Sequence, residues 1–163
     1  MPITRLNHAV LYVRDLDSSV AFYRDVLGFS VLREMSRLGV TAFLRAPGST
    51  NDHDLGLFGI GDELADSEAG RATVGLYHLA WEVDTLAELS RIRDALLEAG
   101  ALAGMTDHGT TKSLYARDPD GIEFEIVWVV PAHKLDADAF GRLTPLRLER
   151  ELERFGADTP GGR

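Results

Sequence analysis

Two histidines stand at the same place in a repeated pattern. His8 lies in the strand-like run Leu6–Val13 and His78 in the run Leu76–Val83, 70 residues further on. A third group belongs with them. In Ser113–Trp128 two strand-like runs flank Asp118-Pro-Asp-Gly121. Pro119 suits the second position of a type I turn and Gly121 can adopt positive φ, which predicts a three-residue hairpin loop closed by a glycine bulge. The register then sets Tyr115 opposite Glu125 and Arg117 opposite Glu123 on a polar face. Leu114 faces Ile126 and Ala116 faces Phe124 on an apolar one. Opposed Cβ atoms lie about 4.5–5.5 Å apart, so the phenol of Tyr115 and the carboxylate of Glu125 enter one space. Two imidazoles and one carboxylate on rigid strands make a facial triad, which leaves three positions open and typifies non-haem Fe(II). The same donors accept Mn(II), Co(II), Ni(II) or Zn(II). Taken singly, a strand histidine is more often a hydrogen-bonded core residue. A fold-forming repeat, however, has no evident need of a histidine at the same place twice.

The elements that must hold these groups follow from the spacing of apolar residues. After the His8 strand, Asp15-Leu-Asp-Ser18 offers helix caps, and Val20, Phe22, Tyr23, Val26 and Leu27 follow at helical spacing until Gly28. Phe29–Glu34, Thr41–Arg45 and Leu55–Ile60 read as three more strands. The order then restarts: the His78 strand, a helix carrying Leu86, Leu89, Ile92, Leu96 and Leu97, a stop at Gly100, a strand over 101–105 and the hairpin. The reading is α+β. Two tandem βαβββ modules, residues 3–62 and 76–130, are expected to share a curved, incomplete barrel, joined by a linker loop over 63–75. Residues 131–163 form a helical C-terminal extension, with helical spacing over Asp136–Phe140 and Pro145–Phe155 and a disordered tail from Gly156. The charge run Glu149–Arg154 reads as a solvated helix face.

Composition narrows the field. With 163 residues, 45% of them hydrophobic, the chain can bury a genuine core. A net charge of −9 argues against nucleic acid and anionic membranes as partners. There is no cysteine, so disulfides and thiolate chemistry are excluded and any metal must be held by His and carboxylate. No apolar run approaches the roughly 18 residues of a membrane span, and the N-terminus lacks the apolar core of a signal peptide. A soluble cytoplasmic protein is expected.

The segments His8-Ala-Val-Leu-Tyr-Val-Arg-Asp-Leu16, Phe22-Tyr-Arg-Asp-Val-Leu-Gly-Phe29, His78-Leu-Ala-Trp-Glu-Val83 and Asp118-Pro-Asp-Gly-Ile-Glu-Phe-Glu125 together resemble the vicinal oxygen chelate superfamily. That superfamily holds glyoxalases, bleomycin-resistance proteins and type I extradiol dioxygenases. The resemblance covers about residues 3–130 and is closest to the extradiol enzymes. It implies His8, His78 and Glu125 as metal ligands, Fe(II) as cofactor, and a catecholic substrate with O2 as partners. It points to His53, in Asp52-His-Asp54, as an acid/base histidine. Tyr115 and His108 would be further active-site groups, Tyr115 bonding a substrate oxygen. The glyoxalase-type alternative normally uses a fourth ligand, an acid on the last strand of the first module; here that strand, Leu55–Ile60, is apolar throughout. A metal-free antibiotic-binding protein would tend to lack the full set of two histidines and a glutamate. Small members are commonly homodimers, so a homodimer is expected.

Overall fold

The computed structural model describes residues 2–3, 5–32, 40–61, 63–69 and 72–162. The chain divides into two compact units, Met1–Ser67 and Glu68–Arg163, and the division falls inside the stretch read as a linker.

In the first unit, β1 (Ala9–Val13) leads to α1 (Leu16–Asp25), β2 (Ser30–Val31), β3 (Thr41–Arg45) and β4 (Leu55–Gly59). The Asp15 carboxylate accepts from Ser18 N at 2.6 Å and starts α1. Gly28, at φ +78°, donates its N–H to the Arg24 carbonyl and ends it. The sheet order is β1-β4-β3-β2, with β1 and β4 parallel and the other pairs antiparallel. Leu11, Val13, Tyr23, Leu27, Leu44, Leu55 and Leu57 are buried, while Val10 and Tyr12 on the other face of β1 are exposed. The second strand of the sequence reading, Phe29–Glu34, has its C-terminal end outside the described residues.

The second unit repeats this order as β5 (Leu79–Glu82), α2 (Leu86–Glu98), β6 (Leu102–Asp107), β7 (Thr111–Arg117) and β8 (Glu123–Val129). Its sheet runs β5-β8-β7-β6, again with the first pair parallel. A fifth strand, β9 (Thr144–Pro145), adds to the β6 edge. The α+β class and the tandem βαβββ order are therefore as read from the sequence, with the ladders forming one four-stranded and one five-stranded sheet.

The β7–β8 hairpin has the expected register: Tyr115 pairs with Glu125, Arg117 with Glu123, Leu114 with Ile126 and Ala116 with Phe124. The Asp118 carboxylate accepts from Asp120 N and Ile122 N, and Gly121 takes φ +77°. Leu114, Ala116, Phe124 and Ile126 are buried beneath α2, whose Leu86, Leu89, Ile92 and Leu96 are buried as well. Glu125 consequently points away from the helix.

The C-terminal extension departs from its sequence reading. Residues 136–140 turn rather than wind, because Arg142 ties the Asp136 and Asp138 carboxylates together at 3.1 and 2.9 Å. Pro145 sits in the edge strand β9, where its missing N–H costs no ladder bond. The helix is α3 (Leu148–Phe155). The stretch read as a disordered tail packs back: Gly161 N donates to the Asp84 carbonyl at 2.7 Å, Gly162 N to Val129 at 2.9 Å, and Trp128 Nε1 to Thr159 at 3.3 Å. Its polar, glycine-rich composition withholds apolar area, but backbone bonds to the second unit replace it.

Gly121→Ala forces a left-handed φ on a residue with a Cβ and should cost about 1–2 kcal/mol, whereas Leu114→Ala should cost about 2–5 kcal/mol. Urea unfolding followed by circular dichroism checks both, and no loss in Gly121→Ala would mean that the loop is not held in this conformation.

Candidate functional site

In the second unit the parallel β5–β8 pairing sets Ala80 beside Glu125. His78, two residues earlier and on the same face, thereby reaches the same carboxylate. His78 Nε2 lies 3.2 Å from Glu125 Oε2. Two donors each about 2.1 Å from one ion and roughly 100° apart are separated by about the same distance, so this pair fits two adjacent ligands of a divalent metal. Tyr115 flanks Glu125 from β7, with its ring 5.8 Å from that of His78. His108, in the turn between β6 and β7, places its Nε2 at hydrogen-bond distance, 3.0 Å, from Tyr115 Oη. The second unit thus gathers His78, Glu125, Tyr115 and His108. Burial, above all, then the charge of Glu125 and its hydrogen bond, push the Tyr115 phenol up to about 12. Tyr115 is neutral at physiological pH and able to donate.

The first unit gathers the other two candidates. The His8 and His53 rings lie 4.5 Å apart. Phe43 packs edge-on against His53 at 5.0 Å. His53 is buried, so it is not the solvated loop residue that its Asn51–Asp54 surroundings also allowed. Its Nδ1 meets Asp52 Oδ2 at 3.1 Å, and the bond to His53 holds the Asp52 carboxyl below its usual range. An ionised carboxylate only accepts, so Nδ1 donates to it, and in the neutral ring Nε2 then carries the lone pair. His8 Nδ1 faces Asn7 Oδ1 at 2.7 Å, which likewise leaves Nε2 as the donor atom toward a metal.

Within each unit, among the described residues, no set of three His, Cys, Asp or Glu side chains gathers as a ligand set. The second unit supplies two of the expected three, His78 and Glu125, and His8 belongs to the first.

The two ladders also identify a position that the sequence reading left unplaced. Val10, two residues after His8, pairs with Gly56, just as Ala80, two residues after His78, pairs with Glu125. Gly56 is therefore the first module's counterpart of Glu125. A Cβ there would touch Val10 Cγ2 at 3.4 Å and the Phe43 ring at 3.5 Å, so the position is flanked by apolar side chains and carries no carboxylate. The sequence signal existed in the repeat, but the offset from Gly56 to Glu125 is one residue shorter than that between the histidines.

The sequence profile of the Glyoxalase/Bleomycin resistance protein/Dioxygenase superfamily matches residues 5–126. Catechol-2,3-dioxygenase of Bacillus subtilis (strain 168) is 31% identical over 159 residues, covering 94% of this chain and 53% of that protein. A manganese-dependent 2,3-dihydroxybiphenyl 1,2-dioxygenase of Geobacillus genomosp. 3 is 31% identical over 147 residues, covering 86% and 42%. A probable lactoylglutathione lyase of Vibrio cholerae is 30% identical over 146 residues, covering 79% and 94%. The chain spans about half the length of the two dioxygenases and nearly all of the lyase. No helix among the described residues is long and apolar enough to cross a membrane.

The raised phenol predicts a specific alkaline titration. Unfolded tyrosine ionises near about 10, while Tyr115 keeps its proton to about 12 when folded. Its contribution to stability is therefore complete below the lower value and lost as pH rises through the upper one. In the metal-free protein, the absorbance difference between wild type and Tyr115→Phe should show a midpoint near the upper value while circular dichroism still reports a folded chain. A midpoint near the lower one would mean that Tyr115 is neither buried nor beside Glu125.

Proposed function

Because the chain belongs to the Glyoxalase/Bleomycin resistance protein/Dioxygenase superfamily, we propose that it is an extradiol-type dioxygenase acting on a catecholic substrate with O2. Its divalent metal, Fe(II) in the first instance, would be held by His8, His78 and Glu125. The observation that carries this reading is Gly56. Lactoylglutathione-lyase chemistry in the superfamily normally uses a fourth protein ligand on the strand where Gly56 stands, and here that place has no side chain and is flanked by Val10 and Phe43. Three protein ligands leave open the positions that a bidentate diol and O2 need.

When bound, the ion supplies a path for charge between a chelated diol and O2. The chain's own residues do the rest. His78 and Glu125 present their donor atoms as a preset pair on rigid strands. Tyr115, kept neutral, donates to a substrate oxygen, and His108 behind it holds the phenol in place. His53 Nε2 takes a proton from the diol and can return it, its tautomer set by Asp52. Phe43 closes water out from the flank of His53.

Two further readings have specific support. The 30% identity to a probable lactoylglutathione lyase supports a glyoxalase-type isomerase, and the manganese-dependent relative supports Mn(II).

Anaerobically purified protein, reloaded with Fe(II) or Mn(II), should consume O2 in proportion to catechol added. Glu125→Ala should lose the metal and keep the fold. His53→Ala should keep the metal and lose turnover by about 10²–10⁴. Isomerisation of the methylglyoxal–glutathione adduct with no O2 uptake on any catechol would overturn the dioxygenase reading in favour of the lyase type.

A further inference from the structure

The ammonium of Lys112 is fully buried, on the face of β7 opposite Tyr115. It hydrogen-bonds Asp107 Oδ1 across the β6–β7 ladder and meets Glu151 Oε2 of α3 at 3.2 Å. The same Asp107 oxygen accepts from Gly109 N at 2.7 Å, inside the turn that carries His108. Arg142 Nη1 stands 4.0 Å from the other Asp107 oxygen. The turn is closed by His108 N donating to the Thr111 carbonyl at 3.0 Å. Gly109 takes φ +76°, and a Cβ there would overlap the Ala139 carbonyl of the extension. Beside it, β9 pairs with β6 as far as Asp107. The extension, beyond the segment that matches the family profile, thus wraps the one turn that presents His108 to Tyr115.

A buried ammonium is tolerated only with charged partners. Nothing in a βαβββ unit requires one here, since an apolar residue would serve that face of β7 equally well. We propose that Lys112 is a positioning residue: it couples Glu151 of the C-terminal extension to Asp107 and so fixes His108 against Tyr115. Its bearing on turnover rests on the functional reading above, but the coupling itself does not. The extension then acts as a fixed brace for one active-site histidine, with Lys112 as its charge link from α3 and Arg142, Ala139 and β9 as its further contacts.

The test is Lys112→Met, which keeps the length of the side chain without its charge, studied by NMR in the full-length, metal-free protein. In the folded variant, the cross-relaxation between the His108 and Tyr115 rings should be lost and the Gly109 amide should lose protection from exchange. The contacts between Leu114 and Ile126 on the same hairpin should persist. Lys112→Arg should restore the ring contact. Where the metal-loaded protein turns over a catechol, kcat should fall by about 10²-fold, with KM and bound metal unchanged. Should Lys112→Met fail to fold, Glu151→Gln, which severs only the charge link to α3, is read by the same two signals. A folded variant that keeps the ring contact and the Gly109 protection overturns the proposal. Loss of both signals without loss of turnover sustains the coupling and instead removes His108 from the catalytic reading.

Discussion

A slip of one residue between β7 and β8 would exchange the faces of the hairpin, burying Glu125 and Tyr115 under α2 and turning Phe124 and Ile126 outward. What prevents it is local. The Asp118 carboxylate caps two N–H groups of its own loop, and Gly121 supplies the left-handed residue that a three-residue loop needs. Four buried apolar residues on the opposite face then make the correct register much the better one. The polar face follows from these choices, and with it the pairing of phenol and carboxylate on which the site in the second unit is built.

The same ladder logic marks one equivalent position in each module. Parallel pairing next to each histidine strand assigns one position per module to a potential ligand, and the two modules fill it differently, with Glu125 in one and Gly56 in the other. In a duplicated fold the two modules thus differ at this position by one side chain on one strand. That explains how a chain about as similar to a lyase as to dioxygenases can be read through a single residue rather than through overall likeness.

Burying polar groups at this density has consequences elsewhere in the second unit. Glu125 lies 3.2 Å from His78 Nε2 and holds the Tyr115 proton in place. On the opposite face Lys112 needs two carboxylates, one of them from α3. The hairpin is therefore tied on one side to the site and on the other to the C-terminal extension, which makes the extension part of the unit's electrostatic balance rather than an appendage.

By itself the sequence determined whatever depends on neighbours along the chain. The period-2 alternation, the cap at Asp15, the stops at Gly28 and Gly100 and the Asp118–Gly121 loop are local. They were enough for the element order, the duplication and the Tyr115–Glu125 pairing. The tertiary structure alone decided what depends on register between distant strands and on where backbone bonds close. The equivalence of Gly56 and Glu125 is hidden by a one-residue difference in spacing, and the burial of His53 comes from Phe43 and His8 rather than from its acidic loop. Residues 136–140 fail to wind because carboxylates beside Arg142 outcompete a short helix, and the tail from Gly156 is ordered by carbonyls of Asp84 and Val129 that no pattern within the tail could announce. Helical periodicity measures which residues could share a face, but only the packed chain supplies the partner that makes the helix, or its alternative, the lower free energy.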